Sequence, residues 1–361
     1  MFCAGLTGPD FVSAEDMGAV PVSRDDPETA ESSRRAISSA AGLAVVVTAH
    51  PLATVAARTM LMKGGSAVDA LVAAQTVLSV VEPQSSGLGG GGFLLHWNAQ
   101  HRHLDVLDGR EQAPSSSQPG DLLQPDGDPL PWRLASSQLR AIGIPGTVAL
   151  LWDAHQRWGH LPWKNTFQPA ISLAQKGFRT TPRLLRSISL AQRIGTRHSA
   201  GFNRLYRPDG EHPSLNQVFR NPALGDTLEQ IARDGGTTFY DGALAAQILK
   251  VMADLGSKER AFQGWSAADL KNYTVIRRRP VCHPIQRWKL CTVPPPSGGG
   301  LAILQTLALL EATGPMSTPK QPQAWQRFAK ALQWADADRF YWVNDPSDWP
   351  VPMKGLLTPR Y

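Results

Sequence analysis

A chain of 361 residues that is 42% hydrophobic and 18% charged can bury a substantial core, in one large domain or two of ordinary size. Its composition is that of a soluble globular protein, and no apolar run reaches the roughly 18 residues of a membrane-spanning helix, which argues against a membrane partner. The net charge of +6 comes from Lys and Arg spread along the whole chain; with no recognition module beside it, it argues against nucleic acid.

Residues 1–40 are polar, rich in Ser, Asp, Glu and Pro, and lack an apolar period. They read as a disordered arm, with the folded domain spanning 41–361. The N-terminus has neither a basic flank nor a sustained apolar segment, so no secretory signal is visible. A cytoplasmic address is expected, or a periplasmic one if the true start lies upstream. Order begins at "GLAVVVTAH", where Val45, Val46 and Val47 suit a buried strand. Pro51 then fits the first turn of a helix with Leu52, Val55, Ala56 and Met60 on its apolar face. Ser66 and Asp69 have the spacing of a capping box and open a second helix, apolar on nearly every side, which Glu82 and Pro83 stop. "FLLHW" and "HLDVLDG" read as a hairpin across "NAQHR".

Helices follow at "VALLWDAHQRWG", "FQPAISLAQKGF" and "ALAAQILKVMADLG", the last with Leu244, Ile248 and Val251 on one face. Ser266 and Asp269 form a second capping-box spacing. Strands at "PVCHPI" and "KLCTV" lead through "PPPSGGG" into a final apolar helix. There Ser297 to Gly300 make a tight turn that could also present backbone N–H groups to an anion.

The run "GLGGGGF" satisfies G-x-G-x-x-G at Gly87, Gly89 and Gly92. A dinucleotide fingerprint needs strand, glycines, then helix, so that the pyrophosphate rests on the helix N-terminus. Here the order is helix, glycines, strand, and the glycines instead predict a place where another backbone or a ligand passes too close for a side chain. No G-x-S-x-G elbow, H-E-x-x-H helix or G-K-[ST] loop occurs. The Ser317–Lys320 S-x-x-K match contains Pro319 and reads as a linker. His96, His101 and His103 lie on the hairpin with no carboxylate at metal spacing and read as part of an exposed turn. Cys3, Cys282 and Cys291 form no C-x-x-C pair, and so odd and sparse a set argues against a disulfide framework and a zinc site. "RRRP" at Arg277 to Pro280 reads as a solvated surface strand.

"LDGREQAP" is the informative stretch. Arg110 follows a strand, precedes a proline turn, and sits between Asp108 and Glu111. An arginine between two acids forms an ion pair or, with the geometry of its fork, clamps the carboxylate of a ligand.

"KGGSAVDALVAA", "VEPQSSGLGGGGF", "LDGREQAP", "GIPGTVA", "FYDGALAAQI" and "PPPSGGG" occur in the order, and nearly the wording, of the γ-glutamyltransferase (glutathione hydrolase) family. The resemblance runs from about Leu43 to Tyr361. It implies an α/β fold of the N-terminal-nucleophile hydrolase type, an αββα sandwich of which this chain is the large-subunit part only. In that family a proenzyme cuts itself, and the threonine exposed at the new N-terminus of the small subunit attacks the γ-glutamyl carbonyl, its own α-amino group serving as base. The resemblance assigns Arg110 to the donor's α-carboxylate. It assigns no catalytic residue, metal or cofactor to this chain, because the family nucleophile lies in a Thr-Thr-His context. The Thr180 and Thr237 pairs are followed by Pro182 and Phe239 instead.

The expected partners are therefore a small subunit carrying the N-terminal threonine and a γ-glutamyl substrate such as glutathione. The chain alone is expected to be inactive, with bare strand edges and an apolar face that favour aggregation. The alternatives are a related cephalosporin or glutaryl acylase subunit, or a non-catalytic fragment that retains only the pocket.

Overall fold

Local signals set most of the helices. The structure, a computed structural model, describes residues 44–193, 199–256, 264–314, 320–358 and 361; the N-terminal arm, Cys3 and Ser317 lie outside them. Pro51 opens α1 (Pro51–Met62), capped by His50, whose Nδ1 accepts the Leu52 N–H. The buried face of α1 is Ala53, Ala56, Ala57 and Met60, while Val55 is exposed. Small residues, not the bulkier Val55, face α2 because the two helices pack side by side.

Helix α2 (Ala67–Val81) has its capping box in full: Ser66 N–H donates to Asp69 Oδ2 at 2.6 Å, and Asp69 N–H to Ser66 Oγ at 3.2 Å. Buried residues occupy nearly every side of it from Val68 to Val81. Asp69 is wholly buried and also accepts the backbone N–H groups of His160 (2.9 Å) and Leu161 (3.3 Å), with His155 Nε2 3.3 Å away. Burial alone pushes its pKa up. The N–H groups of His160, Ser66 and Leu161 and the Ser66 hydroxyl outweigh that and hold the carboxyl below the usual carboxylate range.

A depressed folded pKa stabilises the fold above the unfolded value of about 4, and that stability is lost as pH falls through the folded value. Asp69→Ala strands several buried donors, so it is expected to cost about 3 kcal/mol at neutral pH. In urea melts from pH 7 to pH 3 the gap to the parent should narrow below about pH 4; a constant gap would contradict this assignment.

Glu82 ends α2, and α3 (Pro83–Ser86) leads through the glycines into β1 (Gly92–Asn98), which pairs antiparallel with β2 (His103–Gly109). α4 (Trp132–Ala135), α5 (Thr147–Trp158) and α6 (Trp163–Lys176) follow, then β3 (Phe178–Arg179), α7 (Pro182–Arg193), α8 (Ala200–Tyr206), β4 (Val218–Phe219) and α9 (Pro222–Asp234). Helices α2, α6 and α9 pack around Val72, Val77, Phe167, Leu228 and Ile231, all fully buried. Trp163 Nε1 donates across this core to Ile231 O at 2.9 Å. Arg183 on α7 meets the buried Glu82 carboxylate at 2.7 Å, tying α7 to the end of α2.

The chain continues through α10 (Ala243–Gly256), α11 (Ala267–Lys271), β5 (Ile276–Arg278), β6 (Val281–Ile285) and β7 (Trp288–Thr292) to α12 (Gly298–Ala312), α13 (Pro322–Trp342) and α14 (Met353–Leu356). The Gln305 amide bonds Asp338 Oδ2 and Leu356 O, joining the last three helices. The architecture is mixed α/β. Among the described residues the strands form a β1-β2-β5 sheet and two separate antiparallel pairs, β3-β4 and β6-β7, so these residues do not by themselves assemble two stacked sheets. No helix among them is long and apolar enough to cross a membrane.

Besides Val55, four expectations are corrected. Val45 to Val47 form no strand, and Val45 and Val47 are exposed; a β-branched run needs a neighbouring strand, and no described one pairs with it. On α10, Met252 rather than Val251 turns inward with Leu244. Cys282 and Cys291 face each other across β6 and β7 and are joined by a disulfide, so the low cysteine count misled: a single bridge needs only two opposed positions in one hairpin. Arg278 in the "RRRP" strand is not solvated; it pairs with the buried Asp108 at 2.6 Å.

Candidate active site

Three glycine-bearing segments meet at the C-terminal end of β2. Gly90 O accepts the N–H groups of Gly146 (2.9 Å) and Thr147 (3.0 Å). A Cβ on Gly91 would stand 2.5 Å from Gly109 O, 2.8 Å from Glu111 N and 2.9 Å from Arg110 Cα. One on Gly146 would collide with Gly109 O and the Tyr273 hydroxyl. Gln112 and Ile144 then exchange backbone hydrogen bonds and continue the contact. The glycine run is therefore a backbone crossing, as its helix–glycine–strand order implied. Its product is a fixed position for Arg110.

Beside the crossing lies a cavity of about 800 Å³ whose lining includes Gln84, Ser86, Arg110, Glu111, Thr147 and Ser297. The Arg110 side chain is 52% exposed, and its Nε donates to Glu111 Oε2 at 3.2 Å. Asp108, the other acidic neighbour, does not take the guanidinium. Its Oδ1 accepts the Arg110 backbone N–H at 2.9 Å, and its Oδ2 accepts Arg278 Nε at 2.6 Å. Among the described residues the two terminal nitrogens of Arg110 have no partner, which is the edge a bidentate carboxylate requires.

The Arg110 carbonyl accepts the Tyr273 hydroxyl at 2.7 Å. Burial, then the nearby carboxylates of Asp108 and Glu111, push the Tyr273 pKa far above the ordinary phenol range, so it remains a donor at any working pH.

Arg110 and Glu111 are the ionisable residues of this lining, which contains no His, Cys or Lys. The surface is suited to holding an acid rather than to making or breaking bonds. The internal threonine pairs lie elsewhere: Thr180 Oγ1 donates to Ser214 O, and Thr238 is buried in the turn Gly236–Phe239. His96 stacks on Trp158 with ring centroids 4.1 Å apart, and His103 lies 3.4 Å from Asp105. Among the described residues no group of three His, Cys, Asp or Glu side chains is placed to hold a metal ion.

Sequence reasoning missed that Ser297 reaches this cavity. Its signal was the second glycine cluster: a Cβ on Gly300 would collide with Val293 O and Thr292, so the turn into α12 packs tightly and carries Ser297 beside it. Ser297 N-caps α12 without a side-chain capping bond.

Five of the six motifs quoted above thus contribute to the lining of one cavity, and the family model for gamma-glutamyltranspeptidase matches residues 53–361. The chain belongs to the gamma-glutamyltranspeptidase family. The glutathione hydrolase proenzyme of Bacillus subtilis (strain 168) is 33% identical over 320 residues, which cover 88% of this chain and 53% of that protein. The chain spans about half the length of the curated relatives it matches.

Among solved structures, the gamma-glutamyltranspeptidase from Pseudomonas nitroreducens complexed with L-DON matches with a TM-score of 0.80 at 30% identity, covering 88% of this chain and 92% of that one. The cephalosporin acylase from Bacillus halodurans matches with a TM-score of 0.76 at 27% identity, covering 86% of this chain and 56% of that one. The fold and the motif order of this gamma-glutamyltranspeptidase family member therefore agree with the resemblance read from its sequence.

Proposed function

We propose that the chain is the large-subunit part of a γ-glutamyltransferase or glutathione hydrolase with the sandwich fold of an N-terminal-nucleophile hydrolase. In this reading a small subunit supplies the N-terminal threonine that forms the acyl-enzyme, together with the oxyanion donors. Arg110 holds the α-carboxylate of a γ-glutamyl donor such as glutathione, and no cofactor takes part. The observation that carries the reading is the Arg110 fork at the cavity, with no partner for its two terminal nitrogens among the described residues. The near-complete coverage of the solved Pseudomonas nitroreducens chain, against half of the Bacillus subtilis proenzyme, supports the large-subunit assignment.

The test is to produce the chain with a matching small subunit and measure aniline release from a γ-glutamyl anilide. Activity should appear only with both chains; none above either chain alone would count against the pairing and favour a non-catalytic fragment that retains the pocket.

The likeness to a cephalosporin acylase supports a second reading with the same fold and a different acyl donor. Arg110 suits either donor, since both carry a carboxylate. Glutaryl amides beside γ-glutamyl amides in the same assay separate the two: turnover of the glutaryl amide alone would favour the acylase.

A further inference from the structure

The Arg110 side chain is half exposed and makes one hydrogen bond among the described residues, to Glu111, so little in its own polar contacts fixes it. Its backbone, by contrast, is held at both ends. Asp108 Oδ1 accepts its N–H, and the Tyr273 hydroxyl donates to its carbonyl. Both holding groups are buried, at 4% and 7% exposure. The second Asp108 oxygen accepts Nε of Arg278, a side chain only 13% exposed. In the β2–β5 register Arg278 lies opposite Val106, which places Asp108, two residues along, diagonally on the same face. Tyr273 stacks on Tyr240, whose hydroxyl donates to Pro145 O and accepts the Ala149 N–H. The hold on Arg110 is thereby joined to the glycine crossing.

We infer that Arg278 and Tyr273, acting through Asp108 and the Arg110 backbone, are positioning residues for the donor-binding guanidinium. This inference rests on the donor role proposed for Arg110. Arg278 has two effects. It fixes the carboxylate that orients the Arg110 N–H, and it satisfies that buried carboxylate, which otherwise sits two residues from the guanidinium and competes for the fork the donor needs. Arg277 supplies an internal comparison: it lies one residue away on the opposite face of β5 and pairs with Asp105 at 2.9 Å, on the other side of the strand from Asp108.

The experiment is steady-state kinetics of the assembled two-chain enzyme on a γ-glutamyl anilide, with L-glutamate binding followed by calorimetry. Arg278→Ala is expected to raise the donor KM and the L-glutamate Kd about tenfold, the effect of one or two misdirected hydrogen bonds, with kcat within about twofold. Arg278→Lys should restore part of the loss, and Tyr273→Phe, which deletes a single hydroxyl, should raise KM in the same sense. Arg277→Ala should leave KM unchanged. Should Arg278→Ala fail to fold, Tyr273→Phe carries the test.

Unchanged KM in Arg278→Ala and Tyr273→Phe while Arg110→Ala raises it would overturn the positioning role and leave the donor site standing. An equal rise in Arg277→Ala would overturn it too, because general charge would then explain the effect. If Arg110→Ala also leaves KM and Kd unchanged, the donor-site reading falls and this inference with it.

Discussion

In the assembled two-chain enzyme, Arg110→Ala is expected to raise the donor KM on the order of 10²-fold, since a charged, two-pronged hydrogen bond to a carboxylate contributes about 3 kcal/mol. The half-exposed side chain keeps the figure near that value rather than the larger ones of buried pairs. The loss should appear mainly in KM, because the guanidinium grips a part of the donor that does not react. Arg110→Lys should recover only a fraction, as an ammonium offers charge without the planar fork. The matched measurement is a donor lacking its α-carboxylate, which should be a poor substrate for the parent and equally poor for Arg110→Ala. If the variant still distinguishes the two donors, Arg110 is not the carboxylate ligand.

Gly91→Ala is expected to cost about 3 kcal/mol or more. The added methyl would lie 2.5 Å from Gly109 O and 2.9 Å from Arg110 Cα, and these are backbone atoms that cannot swing aside as a side chain can. The segments must part, and with them go the hydrogen bonds that Gly90 O accepts from Gly146 and Thr147. Gly89 provides the comparison two residues earlier: nothing lies within 4 Å of a Cβ built there. Urea unfolding of the two variants should show a large drop for Gly91→Ala and a shift of about 1 kcal/mol or less for Gly89→Ala. Equal midpoints would mean that the crossing yields more readily than its geometry indicates.

The parts of the molecule that were legible in the sequence are those in which cause and effect lie within a few residues of each other. Ser66 and Asp69 are three apart, close enough to satisfy each other's backbone N–H groups, and the helix starts where they say. Ser266 and Asp269 repeat this. Pro83 excludes helical geometry at Glu82, and α2 stops there. The hairpin of β1 and β2 follows from two apolar stretches and a polar turn. The glycine run was readable as a close crossing from its place between a helix and a strand, and the family from six motifs in order.

What crosses from one part of the chain to another was decided only by the tertiary structure. Nothing in "RRRP" marks Arg278 as the partner of Asp108, 170 residues earlier, because the register of β5 against β2 determines which arginine faces inward. The valines at 45 to 47 carry strand propensity, but a strand also requires a neighbour, and the sequence of a segment does not contain its neighbour. Three cysteines gave no sign that two of them would be opposed across a hairpin. Ser297 and Arg110 come to one cavity only when α12 and the end of β2 are packed together. The physical division is one of range: periodicity, caps and proline act over a single turn or strand, whereas partners across a sheet or cavity are selected by how whole elements fit.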